Sequence, residues 1–271
     1  GAHNKQDSER ASKGLRHPSL TSAIFDESAW EDSNHRIADM MGIKANSCGY
    51  EKGLKTLKSE EVNPKAGSRH MVDPPSGGKL SLVCCDTTKG PLAMLAHHNW
   101  APLGTERFLE MVTTGYFDSG VPMMRCVKGF LCQFGLNNDP KVSKKFEKSI
   151  KDDPNWLPEG PKYRENKNGV KRFARGYLAY AGSGKNSRGN QLIMSLHADG
   201  PLGGGSPWEV PWGELVGKKS FETLSKIYTG YDEKGPSQGK LMNRGMDEEL
   251  KEEFPKLDYI TKCVLVDERE S

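Results

Sequence analysis

No run of about 18 apolar residues occurs in the 271-residue chain, so no spanning helix is expected. Neither sign of charge dominates: 39 basic and 36 acidic side chains leave a net +3. A nucleic-acid binder carries a basic stripe, and this balance gives none, so no nucleic-acid partner is expected. There is no C-x-x-C pair among the six cysteines, Cys48, Cys84, Cys85, Cys126, Cys132 and Cys263, which removes the usual zinc spacing. Six are too sparse for a disulfide scaffold, so they read mainly as small buried hydrophobes, with any pairing left open. His97-His98 and Cys84-Cys85 cannot chelate one ion from a strand, because neighbours there point to opposite faces. No metal and no cofactor is expected. Gly182–Ser187 fails the phosphate-loop pattern twice, with Ala179 at the first Gly place and Asn186 after the Lys. No G-x-S-x-G elbow offers a nucleophile. The start has no apolar signal segment and there is no N-x-S/T sequon. Gly1-Ala2-His3 reads as an expression scar or as the end left by a processing peptidase. The compartment stays open, with an organelle lumen or the secretory pathway favoured over the cytoplasm.

What is present points to strands and turns: 30 Gly and 16 Pro. Residues 1–78 form a polar extension and linker with scattered apolar side chains, among them Phe25, Trp30, Ile37, Met40 and Met41. One short helix over Glu31–Met41 is expected there, in a segment too poor in core to fold alone. It is expected to lie along a surface or to dock on a partner in a larger assembly. From residue 79 onward the alternation changes to period two. Strands are expected at Leu80–Cys85, Gly90–Trp100, Val121–Val127, Phe130–Leu136, Gly176–Ala181, Gln191–Leu196, Trp212–Val216 and Tyr259–Val266. Thr105 can cap a helix that ends at Gly115, Ser220 can start a second, and Asp247–Glu253 forms a short acidic third. The charged stretch Asn137–Arg172 reads as a solvated loop. About eight strands with antiparallel connections imply a closed or nearly closed β-barrel.

One cationic residue stands in an apolar setting, Met123-Met124-Arg125-Cys126-Val127-Lys128-Gly129-Phe130-Leu131-Cys132-Gln133-Phe134-Gly135. Across the turn at Gly129, Phe130 and Gln133 can approach Arg125. A partly buried Arg needs a partner, and Gln133 is a candidate orienter. A rim Arg paired with a carboxylate for structural reasons is the alternative.

This segment resembles the signature of the cyclophilin family of peptidyl-prolyl isomerases, F-x-R-x-x-x-G-F-x-x-Q-x-G, with Met123 in place of the first Phe. Gly176 to Gln191 is similar to the family's G-x-L-x-x-A-x-x-x-x-N-[ST]-x-x-x-Q, and Gly90–Phe108 to its second strand and first helix. The stretch from Tyr228 to Ile260 resembles a divergent branch with an extended C-terminal region. The resemblance spans roughly residues 79–267 in several blocks in order. It implies an eight-stranded antiparallel barrel capped by two helices over residues 79–271, acting on X–Pro bonds of peptide or protein clients. Carried over by position, Arg125 is the catalytic cation, Gln133 its orienter and Phe130 a third member. Phe130, Leu131, Ile193 and Leu202 would line a proline pocket, Ala181 and Gly182 would offer backbone, and Gln191 would lie beneath. Met124 stands where many members have His, and Ile193 replaces an aromatic floor. Around a small insertion near Trp208, Pro201 falls where drug-binding members have Trp and Glu209 where they have His. An acid at that rim, Glu209, can pair with Arg125 and blunt it, which implies weak activity. The alternative function is a catalytically weak or inactive cyclophilin-like subunit that holds partners in an assembly.

Overall fold

The computed structural model describes residues 47–49, 77–153, 173–197, 202 and 208–270. The helix expected at Glu31–Met41 and the position of Pro201 lie outside the described residues.

Strands β1 (Lys79–Thr87) and β2 (Gly90–His97) form a hairpin whose alternation is visible on both faces. Val83, Cys85, Leu92, Met94 and Ala96 enter the barrel core, while Leu82, Cys84, Ala93 and Leu95 pack in a second cluster outside it. Both faces are buried, so the strands read as nearly continuous apolar runs. Helix α1 (Pro102–Thr113) sends Phe108, Met111 and Val112 into the core. It starts earlier than the sequence indicates. Pro102 occupies the first turn, where its missing N–H costs nothing, and Thr105 is buried, its hydroxyl donating to the His97 carbonyl at 3.2 Å. The orphan amides of Leu103 and Gly104 are capped instead by the Asp153 carboxylate, at 3.0 and 2.9 Å.

The segment expected as a single strand over Val121–Val127 is two short ones, β3 (Val121–Pro122) and β4 (Arg125–Cys126). They are followed by β5 (Leu131–Phe134), β6 (Tyr177–Tyr180), β7 (Leu192–Ser195), β8 (Gly213–Val216) and β9 (Tyr259–Glu270). All nine belong to one antiparallel sheet in the order β3-β9-β1-β2-β8-β6-β7-β5-β4. The two ends of that order, β3 and β4, are joined by only Met123 and Met124, so the sheet curls back on itself. The split strand accounts for nine strands where eight were expected. The interior is filled by Phe108, Phe117, Phe134, Met194 and Trp212, with the Trp212 and Phe108 rings stacked at 4.1 Å. Each such ring or aliphatic chain contributes about 1.5–3 kcal/mol by leaving water.

Helix α2 (Pro140–Lys144) begins within the stretch expected to be loop, capped by the Asp139 side chain. Helix α3 (Lys218–Lys226) covers β2 and β8. Beyond it come a 3-10 turn at Asp232–Lys234, helix α4 (Gln238–Arg244) and helix α5 (Glu248–Glu253), which takes its N-cap from Asp247. A third apolar cluster, including Met124, Leu136, Leu241, Leu250 and Phe254, fastens these helices to the β3–β4 corner.

The cysteines are buried as expected, but as bonded pairs: Cys48–Cys84, Cys85–Cys263 and Cys126–Cys132. Spacing could not reveal this. Cys85 is registered opposite Cys263 on β9, and Cys126 opposite Cys132 on β5, so the sheet brings them together. Cys84 and Cys85 do point to opposite faces, and each bonds a different region of the chain. Among the described residues no helix is long and apolar enough to cross a membrane.

Candidate active site

Register places the site residues in a row. Arg125 on β4 is opposite Gln133 on β5, Gln133 is opposite Ile193 on β7, and Ile193 is opposite Ala179 on β6. The next row, Cys126, Cys132, Met194 and Leu178, belongs to the barrel core. With a side-chain period of two, the Arg125 row faces the other side, where Arg125, Gln133 and Ile193 line a cleft while Ile193 and Ala179 stay buried. Phe130 ends the turn before β5 and stacks its ring 5.7 Å from the Arg125 guanidinium.

A cleft of about 530 Å³ opens over this row. Arg125, Phe130, Leu131 and Gln133 line one wall, and Ala181, Gly182 and Gln191 another. Ile193 and Leu202 supply apolar floor. The structure thus brings all nine residues singled out from the sequence into one cavity. Gln133 is the hub of its polar side: its Oε1 accepts from Arg125 Nη1 at 3.3 Å, and its Nε2 donates to Gln191 Oε1 at 2.7 Å. Gln133 and its amide are therefore fixed before any ligand arrives.

The acid found on Arg125 is Glu233, not the Glu209 expected from the sequence, although Glu209 lines the same cleft. Arg125 Nε and Nη2 each donate to a Glu233 carboxylate oxygen at 2.6 Å, a side-on fork. That hydrogen bond raises the Arg125 pKa against the opposing effect of partial burial, and it lowers the Glu233 pKa. The 3-10 turn carrying Glu233 can sit this close because residue 235 is Gly: a Cβ there would stand 2.1 Å from the Met124 carbonyl oxygen. The pairing was invisible in the sequence because 108 positions separate the partners.

Three further features shape the groove, and among them the sequence reading assigned Arg188 no part. Trp208 packs its indole where a Cβ on Gly182 would be, 2.4 Å from Trp208 Cδ1, so the insertion puts an aromatic ring against the groove wall. The loop between β6 and β7 is tied down by Ser187, whose Oγ accepts from Ser183 N at 2.8 Å and donates to the Gly184 carbonyl at 2.6 Å. Beneath that loop lies Arg188, wholly buried, with Nη1 on Asp153 Oδ2 at 2.9 Å, a second bond to the Lys151 carbonyl, and the Tyr180 ring at 5.5 Å. Only a charge beside a glycine marked it in the sequence.

A β-barrel that carries the Arg125 guanidinium, the bonded amides of Gln133 and Gln191 and apolar side chains in a single groove defines the class. Residues 82–245, more than half of the chain, match the model of the family described as cyclophilin type peptidyl-prolyl cis-trans isomerase/CLD, and the chain belongs to that family. It is 35% identical over 131 residues to the peptidyl-prolyl cis-trans isomerase CYP18-1 of Arabidopsis thaliana, covering 48% of this chain and 72% of that protein. A second relative, CYP18-2 of the same plant, is 29% identical over 128 residues, covering 47% and 71%. Among solved structures, a cyclophilin type peptidyl-prolyl cis-trans isomerase of Cryptosporidium parvum matches with a TM-score of 0.43 at 20% identity, over 69% of this chain and 98% of that one.

Proposed function

We propose that the chain catalyses cis–trans isomerisation of X–Pro bonds in peptide or protein clients, with Arg125 as the catalytic cation. The observation that carries this is the row of Arg125, Gln133 and Ile193 across three strands beneath one cleft, in a chain of the isomerase family. Rotation about the bond faces a barrier of roughly 18–20 kcal/mol because amide resonance must be broken. No covalent bond is made or cut. The apolar side chains of Ile193, Leu131 and Leu202 accept the proline ring, and the backbone at Ala181 and Gly182 offers hydrogen bonds to the peptide. The Arg125 guanidinium, held by Gln133, donates to the amide as it twists, where the prolyl nitrogen regains its lone pair. That bond is strongest at the transition state, so it lowers the barrier and does not merely tighten binding. A charged hydrogen bond contributes about 1.5–3 kcal/mol, or one to two decades of rate.

The test is a proline-peptide exchange assay on the full chain. Catalysed exchange is expected. A rate equal to the uncatalysed one at micromolar protein would overturn the reading and favour a partner-holding subunit.

A role in a larger assembly is proposed for residues 1–78. It is supported by the Cys48–Cys84 bond, which ties this part of the chain to the outer side of the barrel. Deleting residues 1–75, with Cys84→Ser to remove the orphaned thiol, should leave a folded, active barrel that sediments as a smaller species from native extract. Failure of that truncation to fold would make the extension part of the core.

A further inference from the structure

We propose that Glu233 is a positioning residue for the isomerisation, clamping the Arg125 guanidinium by one edge while leaving its outer edge free to donate to the twisting amide. This rests on the reading of Arg125 as the donor. A guanidinium has five N–H groups in a fixed plane. Nε–H and one N–H of Nη2 go to the two Glu233 oxygens, and one N–H of Nη1 goes to Gln133. Two remain, one on each terminal nitrogen, where an incoming peptide can meet them. The Phe130 ring lies against the same group at 5.7 Å. Glu233, Gln133 and Phe130 together fix the position and plane of a side chain that otherwise has many rotamers.

The arm that carries Glu233 is built rather than draped. Tyr231, two residues before, packs edge-on against Tyr228 at 4.9 Å and Phe254 at 5.2 Å, and its hydroxyl accepts from the Lys256 amide at 3.0 Å. Asp232 holds a φ of 52°, a left-handed conformation uncommon outside Gly but better tolerated by Asp and Asn. Gly235 then lets the turn close onto the Met124 carbonyl, one residue before Arg125. Every residue from 231 to 235 except Lys234 therefore has a stated part in delivering one carboxylate to one guanidinium. Glu233 itself is 59% exposed, so the pair adds little to folding. What it supplies is orientation settled before the substrate binds, which is where effective molarity comes from.

The experiment compares Glu233→Ala and Glu233→Gln with the full wild-type chain in three readouts. In the exchange assay, kcat should fall about tenfold in Glu233→Ala with KM nearly unchanged, and less in Glu233→Gln, whose single amide oxygen keeps one acceptor. The pH profile separates orientation from mere packing. Arg125 holds the Glu233 pKa below the usual carboxylate range, so the clamp is present at neutral pH and is lost as pH falls through that depressed value. The wild-type rate should show this acid limb and Glu233→Gln should not. The third readout does not depend on activity: the Arg125 Nε–H resonance should be ordered in the wild type and mobile in Glu233→Ala. An active wild type whose Glu233→Ala variant keeps or exceeds its kcat, or keeps an ordered Arg125 Nε–H, would overturn the proposal alone. An inactive wild type would overturn the isomerase reading as well.

Discussion

Arg125 and Arg188 serve the same cleft and are built on opposite plans. Arg125 lines the cavity with about a quarter of its side chain exposed, and its acid partner is mostly in water. Arg188 stands between two lining residues, Ser187 and Gly189, yet has no exposed surface, and its partner Asp153 is buried with it. The Asp153 carboxylate also caps α1, and the ring of Tyr180 lies under the guanidinium while its hydroxyl donates to the Gly104 carbonyl at 2.8 Å. All of this fastens the loop between β6 and β7 to the helix that covers the barrel. The difference teaches that charge alone does not mark a catalytic cation. Of the two, Arg125 is the one whose side chain lines the cavity.

The contrast would break most visibly at Arg188. Arg188→Ala leaves Asp153 buried without its cation and should cost about 3–5 kcal/mol in urea unfolding, with activity lost alongside the loop. A loss below about 1 kcal/mol would mean the pair is as dispensable as a surface one. Arg125→Ala should do the reverse. Isomerase turnover should fall at least about tenfold, or roughly 1.4 kcal/mol of barrier, with thermal unfolding nearly unmoved. Earlier unfolding with activity retained would make Arg125 a structural rim residue. Tyr180→Phe should cost about 1 kcal/mol, since it removes one buried hydrogen bond at Gly104 but keeps the ring beneath Arg188. Burial already keeps that phenol neutral by raising its pKa, so the penalty should not change between pH 6 and 9. The smallest effect is ionic. Raising salt to about 1 M shrinks the screening length to roughly 3 Å, which should erode ordering of Arg125 by Glu233 and leave Arg188–Asp153 intact. Equal salt sensitivity at both arginines, read from their Nε–H exchange, would erase the distinction.

What was legible in the sequence follows the same division. Strands were expected at Leu80–Cys85 and Gly90–Trp100, and both form, the second ending earlier at His97; burial on both faces leaves them as apolar runs that stand out in the sequence. The groove residues from Arg125 to Leu202 were legible through the family resemblance, with Arg125, Leu131, Gln133 and Ile193 held in register on β4, β5 and β7. Contacts set by tertiary register left no local trace. Val121–Val127 reads as one strand, yet it changes partner from β9 to β5 at Met123–Met124. Helix α4, with Leu241 its one buried residue, is too short and too polar to announce an amphipathic period. Glu233 lies in a turn with no pattern of its own, and Asp153 and Arg188 form a buried pair from two charged loops. Sequence reading singled out Arg125 but not Arg188, and it gave neither arginine the carboxylate it pairs with, Glu233 for the first and Asp153 for the second.

The paired bonds of Cys84 and Cys85 also set how the molecule bears tension. A pull on the chain ahead of Cys48 reaches β1 directly through the first bond, so the backbone between Cys48 and Cys84 carries no load. That stretch, a sequence separation of 36 or about 120 Å of extended chain, is withheld from any stretching. One residue on, the Cys85–Cys263 bond passes the force sideways into β9 instead of peeling β1 away hydrogen bond by hydrogen bond. Cys84 lies near the middle of β1, so the first bond joins the chain at Cys48 to the middle of that strand of the barrel wall.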